Sequence, residues 1–468
     1  MSSTKNGVHI LVFPYPAQGH MLPLLHLTHH LSSRGLSITI LITPKNLPIL
    51  SPLISSNSSI QTLVLPFPTH PSIPPGVENV KDLGNQGNIP MINALTKLQD
   101  PIIQWFNSHS NPPVALLSDF FLGWTHHLAN QIGIPRLVFY SSGAFAVGVF
   151  NHLWVNCEDV KPGCEVNFQD LPWEPSFTWE QVPSLYRRYR ESPSVCVELI
   201  KNSMVANYLS WASVSNTFEA LEGEFLAHLS RAMGHPRVYS VGPLNMVGGS
   251  DNEKLDSCND GVISWLDQWD DGSVLYVCFG SQKLLKKAQM EALAIGLERS
   301  GVRFVWVVKP LTAQQVADGY GSVPDGFEER VSGRGFVMKG WAPQTAILGH
   351  RGVGGFLSHC GWNSVLEAIM AGVMILGWPM EAEQFVNAKL LVEYKGVAVR
   401  VCQGGDTVPN PAELGQKIAE SMRGDAMERV RAKEMRNKAL EAIRVGGSSN
   451  RDLDGLVQEL AKLQVKNV

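Results

Sequence analysis

Short apolar runs recur along the whole chain, each followed by a stretch with helical spacing. In the first half they are VHILVF (8–13), SITILI (37–42), VALLSD (114–119) and RLVFYS (136–141), with SVSNTF (213–218) and VYSVG (238–242) behind them. The second half carries VLYVCFGS (274–281), RFVWVV (303–308), GFVMKGW (335–341), VGGFLS (353–358) and VMILGWP (373–379). Continuous runs of this kind suit strands covered on both faces, and the segments between them serve as the crossovers that parallel neighbours need. The pattern therefore predicts an α/β chain of parallel sheets built from βαβ units. A length of 468 residues exceeds what one hydrophobic core usually serves, so two domains are expected.

The boundary falls after Gly242-Pro243. NMVGGSDNEKLDSCNDG (245–261) has no periodic apolar face and reads as a linker between a domain over 1–244 and one over 262–446. A long irregular region, roughly 150–195, interrupts the first domain and reads as a binding loop. After the Gly446-Gly447 break, Leu453, Leu456, Val457, Leu460 and Leu463 give an amphipathic helix over 447–468. With 44% hydrophobic and 17% charged residues the composition is that of a globular enzyme. A net charge of −4 gives no general attraction to nucleic acid or anionic membrane. Seven cysteines, odd in number and without CxxC spacing, argue against a disulfide framework or a zinc site and for a reducing compartment. Lys5 is the sole early cation, and Pro14, Pro16 and Gly19 interrupt the first apolar run, so that run reads as a buried strand and not a signal peptide. No stretch approaches the ~18 apolar residues of a membrane span. A cytoplasmic monomer without a membrane span is expected, and the Asn57-Ser58-Ser59 sequon would be idle there.

The chemistry concentrates between Trp341 and Gln384, WAPQTAILGHRGVGGFLSHCGWNSVLEAIMAGVMILGWPMEAEQ. These residue types suit a nucleotide sugar: a ring to stack on a base, hydroxyls and amides for a diphosphate, carboxylates for sugar hydroxyls. The loop SHCGWNS (358–364) joins a strand to a helix, and a helix N-terminus is a ready seat for diphosphate. Gly361 permits close approach there, and His359 and Ser364 add donors.

End to end, this stretch resembles the signature of the plant family 1 UDP-sugar-dependent glycosyltransferases that act on secondary products. The resemblance implies the GT-B fold, two Rossmann-like domains facing across a cleft, with the final helix returning to the N-terminal domain. It implies that Trp341 stacks on uracil, the Ala342 backbone reads its edge, and Gln344 reaches the ribose. His359, Asn363 and Ser364 would contact the phosphates, Trp362 the sugar, Glu367 both ribose hydroxyls, and Glu383 with Gln384 the hexose. Gly280-Ser281, closing another strand, is expected near the phosphates. Met374 stands where the family usually has Pro, away from the polar contacts. His350, Arg351 and Cys360 read as structural.

His20 follows the first strand in Tyr15-Pro16-Ala17-Gln18-Gly19-His20, and Asp119 ends VALLSD. An imidazole can take the proton of an attacking hydroxyl, and a carboxylate on its far nitrogen fixes the tautomer. The two match the family's catalytic dyad; a helix cap and a strand-end turn are the plainer readings. The resemblance points to an inverting O-glycosyltransferase moving glucose from UDP-glucose to a small phenolic acceptor, a flavonoid above all. UDP-xylose, UDP-rhamnose and a non-catalytic UDP-sugar-binding protein are the alternatives. Relatives favouring galactose or rhamnose often carry His at the position of Gln384, which leans this chain to glucose. Tyr15, Phe120, Phe121, Ser142, Phe145 and Tyr186 are expected to line the acceptor pocket, an aromatic wall suited to flat phenolics. No cofactor and no metal are expected: His26, His29 and His30 read as packing and surface residues. Asp452-Leu453-Asp454 reads as solvated charge with Leu453 inward. A dinucleotide oxidoreductase would need a Gly-x-Gly-x-x-Gly turn, which the sequence lacks.

Overall fold

The apolar runs become the strands of two all-parallel sheets. The structure, a computed structural model, describes residues 7–157, 160–191, 195–244 and 257–466. The chain forms two compact units. One comprises Met1–Trp179, Leu185–Asn245 and Glu441–Val468; the other comprises Glu180–Ser184 and Met246–Leu440.

The first unit contains β1 (His9–Phe13), β2 (Ser37–Ile42), β3 (Ile60–Val64), β4 (Ala115–Asp119) and β5 (Arg136–Tyr140). A small antiparallel ribbon follows, β6 (Val166–Asn167) with β7 (Ser176–Phe177), then β8 (Ala212–Ser215) and β9 (Val238–Ser240). The main sheet runs β3-β2-β1-β4-β5-β8-β9. Its central strands are buried at every residue, β1, β4 and β5 alike, which explains why they read as unbroken apolar runs. The strand over 60–64 had no counterpart in the sequence reading. It lies at the sheet edge with Gln61, Thr62 and Val64 exposed or nearly so, and an edge strand needs little apolar character.

The second unit contains β10 (Val274–Cys278), β11 (Arg303–Val308), β12 (Gly335–Lys339), β13 (Val353–Ser358), β14 (Met374–Gly377) and β15 (Ala398–Arg400). They are ordered β12-β11-β10-β13-β14-β15. Met374 is fully buried among Leu275, Leu357 and Trp378. The three-residue strand β15 was too short to register as a run.

Three expectations need correction. The 150–195 region is not irregular throughout: helix Ala144–Val155 extends into it, and it also holds β6, β7 and helix Ser184–Glu191. Most of the 245–261 linker lies outside the described residues, but its end is helical, since helix Ser257–Leu266 starts there. Asp452 is not simply solvated. Its Oδ2 accepts the backbone N–H of Ser240 at 2.7 Å and the Ser240 hydroxyl at 2.9 Å.

Helix Ser448–Lys466 belongs to the first unit, where it packs against β9 and Leu453, Leu456 and Leu460 enter the core of the main sheet. Burying three leucines is worth on the order of 5 kcal/mol before entropy is charged. Ser449 donates to the Gly242 carbonyl at 2.6 Å, and Arg34 pairs with Asp454 at 2.7 Å. Among the described residues no helix is long and apolar enough to cross a membrane.

Candidate functional site

In a parallel sheet, polar side chains at carboxyl strand ends can leave the core without breaking it. β1 ends at Phe13, and the chain turns through Tyr15 into helix Gln18–Ser33, whose third residue is His20. β4 ends at Asp119 beside it, in register with β1. The two side chains meet. His20 Nδ1 lies 3.0 Å from Asp119 Oδ2 and 3.1 Å from Oδ1. Asp119 is fully buried, while the His20 side chain keeps 19% of its surface. Asp119 Oδ1 also accepts the Phe121 backbone N–H at 2.8 Å, so the carboxylate is pinned from two sides. With Nδ1 facing the carboxylate, Nε2 is the nitrogen left for a substrate proton.

Aromatic rings surround the imidazole. Phe120 stacks on it at 5.2 Å, Phe121 lies at 4.5 Å and Tyr15 meets it edge-on at 5.3 Å. Tyr15 is fully buried and donates its hydroxyl to Asn88 Oδ1 at 2.8 Å. Burial and the nearby Asp119 charge push its phenol well above the usual range. Phe121 is partly exposed, whereas Phe120 and Ser142 are buried. The other two predicted acceptor residues are core side chains. Phe145 is 1% exposed and stacks on Phe225 at 4.4 Å. Tyr186, also 1% exposed, packs edge-on against Trp154 at 5.1 Å and donates to the Cys157 carbonyl.

In the second unit, Ser358 closes β13 and helix Trp362–Ala371 begins four residues later. Cys360 turns the chain between them at φ +63°, a left-handed conformation costly for a side-chain-bearing residue. The turn is held by Ser358 Oγ, which accepts the Cys360 N–H, and by Asn387, which donates to the Cys360 carbonyl at 3.0 Å. Gly361 is the N-cap, and no side chain caps this helix. The positive end of the helix dipole lies at this turn.

His359 sits between two glycines. A Cβ on Gly280 would stand 2.7 Å from its Cε1, and one on Gly361 only 2.5 Å from its Nε2. Its Nδ1 is buried without a hydrogen-bond partner among the described residues. Burial, then Lys309 and Lys283, push its pKa down to about 4. His359 thus brings an N–H donor and no charge at neutral pH, so charge for a diphosphate must come from the helix end and nearby cations. Lys309, at the end of β11, is one of these. Its Nζ donates to the Lys283 carbonyl at 3.1 Å, and burial lowers it to about 8 against the pull of Cys278 and Glu381.

Gln344, Ser364 and Glu367 come together. Gln344 Nε2 donates to Ser364 Oγ at 3.1 Å and to a Glu367 carboxylate oxygen, while its Oε1 accepts from Tyr276 at 3.3 Å. The Trp341 ring stands 68% exposed, with Ala342 beside it. Ser281 is exposed in the turn after β10, and Asn363 and Glu383 are partly exposed. Trp362, expected against a sugar, is 3% exposed. Gln384 is nearly buried, and its Oε1 accepts the N–H groups of Met380 and Glu381 at 3.0 and 3.1 Å. It braces the turn ahead of helix Gln384–Lys389, which leaves its NH₂ end to offer.

Two family models match the chain: "Glycosyltransferase, N-terminal domain" over residues 6–246, and "UDP-glucoronosyl and UDP-glucosyl transferase" over 191–407. UDP-glycosyltransferase 89A2 of Arabidopsis thaliana is 53% identical, covering 99% of this chain and 98% of the relative. The chain belongs to the plant UDP-glycosyltransferases. A second such relative, flavonol 3-O-glucosyltransferase UGT89B1 of the same plant, is 49% identical over 97% of this chain and 96% of its own. The crystal structure of Arabidopsis thaliana UGT89C1 complexed with UDP-L-rhamnose superposes with a TM-score of 0.80 at 38% identity, covering 97% and 99% of the two chains. The two parallel sheets are accordingly the two Rossmann-like domains of the GT-B fold, and the protein is a UDP-glycosyltransferase.

Several polar groups around these residues escaped the sequence reading. Asn88 and Tyr276 hold Tyr15 and Gln344 but lie outside any motif. Arg136 was visible as an anomaly, a cation opening the otherwise apolar run RLVFY.

Proposed function

We propose that this UDP-glycosyltransferase moves glucose from UDP-glucose to a hydroxyl of a flavonol-like phenol, with inversion at the anomeric carbon. The observation that carries the reading is the His20–Asp119 pair set in an aromatic wall. His20 Nε2 takes the acceptor proton as the phenolic oxygen attacks; Asp119 keeps Nδ1 protonated and stabilises the imidazolium that forms. A single base with one attacking oxygen means one displacement, so an α-linked donor gives a β-glucoside. Leaving UDP is received at the N-terminus of helix Trp362–Ala371, with His359 and Ser364 donating and Glu367 holding the ribose. The Trp341 ring is available to stack on uracil.

Glucose is favoured by the likeness to the relative named as a flavonol 3-O-glucosyltransferase. Gln384, whose NH₂ can donate to a hexose hydroxyl, fits it. Rhamnose is the second reading, because a structural neighbour was crystallised with UDP-L-rhamnose. A competition assay with equimolar UDP-glucose, UDP-xylose, UDP-galactose and UDP-rhamnose over a flavonol panel decides between them. Glucose should dominate, with a β-type anomeric coupling in the product; a rhamnoside or an α-glucoside as the main product refutes the reading. His20→Ala should lose about 10²–10⁴-fold in turnover while binding UDP as the parent does.

A further inference from the structure

The turn that ends the donor stretch is held in a conformation its residues do not favour. Ala382 has φ +52°, a left-handed backbone that strains a residue bearing a side chain. Bonds from several directions keep the turn in place. Gly404 donates its N–H to the Pro379 carbonyl at 2.8 Å, and Gln384 donates its own to the Glu381 carbonyl at 3.1 Å. The Gln384 side chain takes the amides of Met380 and Glu381. The Ala382 amide, next in line, donates to the Oγ of Ser184, 198 positions upstream, at 3.3 Å.

Ser184 belongs to the second unit with this turn, although the residues on either side of Glu180–Ser184 belong to the first. The chain around Ser184 is itself braced. Trp179 is buried and donates its indole N–H to Glu191 at 2.7 Å, which closes the stretch between them on itself. Val182 and Pro183 are buried too, and the proline ring fixes its own φ. Ser184 therefore presents its hydroxyl from a backbone with little freedom.

We propose that Ser184 is a positioning residue for the donor sugar: by taking the Ala382 amide it holds the left-handed turn that sets the direction of Glu383 and of the Gln384 NH₂. The inference rests on the reading of Glu383 and Gln384 as hexose contacts. Glu383 follows Ala382 directly, and Gln384 opens the next helix. Rotation of the Ala382 backbone towards its ordinary range would swing both side chains. Gln344, Ser364 and Glu367, on helices Gln344–Gly349 and Trp362–Ala371, would be left in place. Loss of the Ser184 hydroxyl is thus felt by the sugar and not by the nucleotide.

The test compares UDP affinity by calorimetry with kcat/KM for UDP-glucose. Ser184→Ala should bind UDP as the parent does, while kcat/KM for UDP-glucose falls about three- to tenfold, the effect of one net hydrogen bond. Ser184→Thr, which keeps an acceptor oxygen, should recover most of that loss. Ala382→Gly in the Ser184→Ala background should do so too, since glycine takes a left-handed turn without support. Unchanged kcat/KM in Ser184→Ala, an equal loss of UDP affinity, or no recovery with glycine overturns the proposal. So does a loss confined to acceptor KM and melting temperature, which would make Ser184 only the first residue of helix Ser184–Glu191. Failure of the underlying reading looks different: Gln384→Ala would then transfer glucose at the parental rate, whatever Ser184 does.

Discussion

Gly361→Ala isolates the contribution of the His359 seat. Gly361 has φ −63° and ψ 142°, a conformation open to alanine, so the change introduces no backbone strain. What it introduces is a methyl group 2.5 Å from His359 Nε2 and 3.0 Å from Cε1. Ordinary contact begins near 3.4 Å, so the imidazole must retreat by roughly 1 Å. Gly280 also lies close to the ring, so the room for retreat is narrow. A displacement of about 1 Å in a positioning group costs roughly 10²-fold in rate, or about 2.7 kcal/mol of transition-state stabilisation. Crowding a buried ring in this way is overpacking, so stability should also fall, by about 1–3 kcal/mol. Initial rates at varied UDP-glucose should show kcat/KM for the donor down about a hundredfold, with the acceptor KM near the parent value. A donor kcat/KM within about threefold of the parent, in a folded variant, would show that His359 does not need this seat.

Two further outcomes are expected. Glu367→Ala should weaken UDP itself by about 10²–10⁴-fold in calorimetry, since two charge-assisted bonds to ribose are lost at roughly 1.5–3 kcal/mol each; unchanged affinity would end the ribose assignment. His30 and His359 are both held down to about 4, against 6.5 for a free imidazole, so the unfolded chain binds more protons than the folded one between those values. Stability should therefore rise as pH climbs from about 4 to 6.5 and then level off. His30→Gln should flatten the Tm curve in that window, and an unchanged slope would contradict the burial of His30.

The readability of the sequence followed burial and contiguity. Strands covered on both faces, such as β4 and β13, are apolar over most of their length and announce themselves. Edge strand β3 and short β15 need not be, and neither showed. Along the donor stretch Gln344 opens one helix and Ser364 and Glu367 lie on the next, with only β13 between them, so their meeting could be anticipated. Arg136, Asn207 and Ser210 converge only through folding, from positions with no common pattern. The acceptor assignments suffered from a different ambiguity. An aromatic lining a pocket and an aromatic filling a core look alike in a sequence, and Phe145 and Tyr186, each 1% exposed, are packed against other rings.

The helix that ends the described chain has a consequence for synthesis. Leu456 and Leu460 belong to the same core as β1, a strand made more than four hundred residues earlier. While the chain is still on the ribosome, the N-terminal sheet waits with that part of its apolar face uncovered. The second unit, which borrows only Glu180–Ser184 from upstream, has all its segments earlier. The half begun first is therefore the half finished last, and the nascent chain depends on shielding of that face until its final helix emerges.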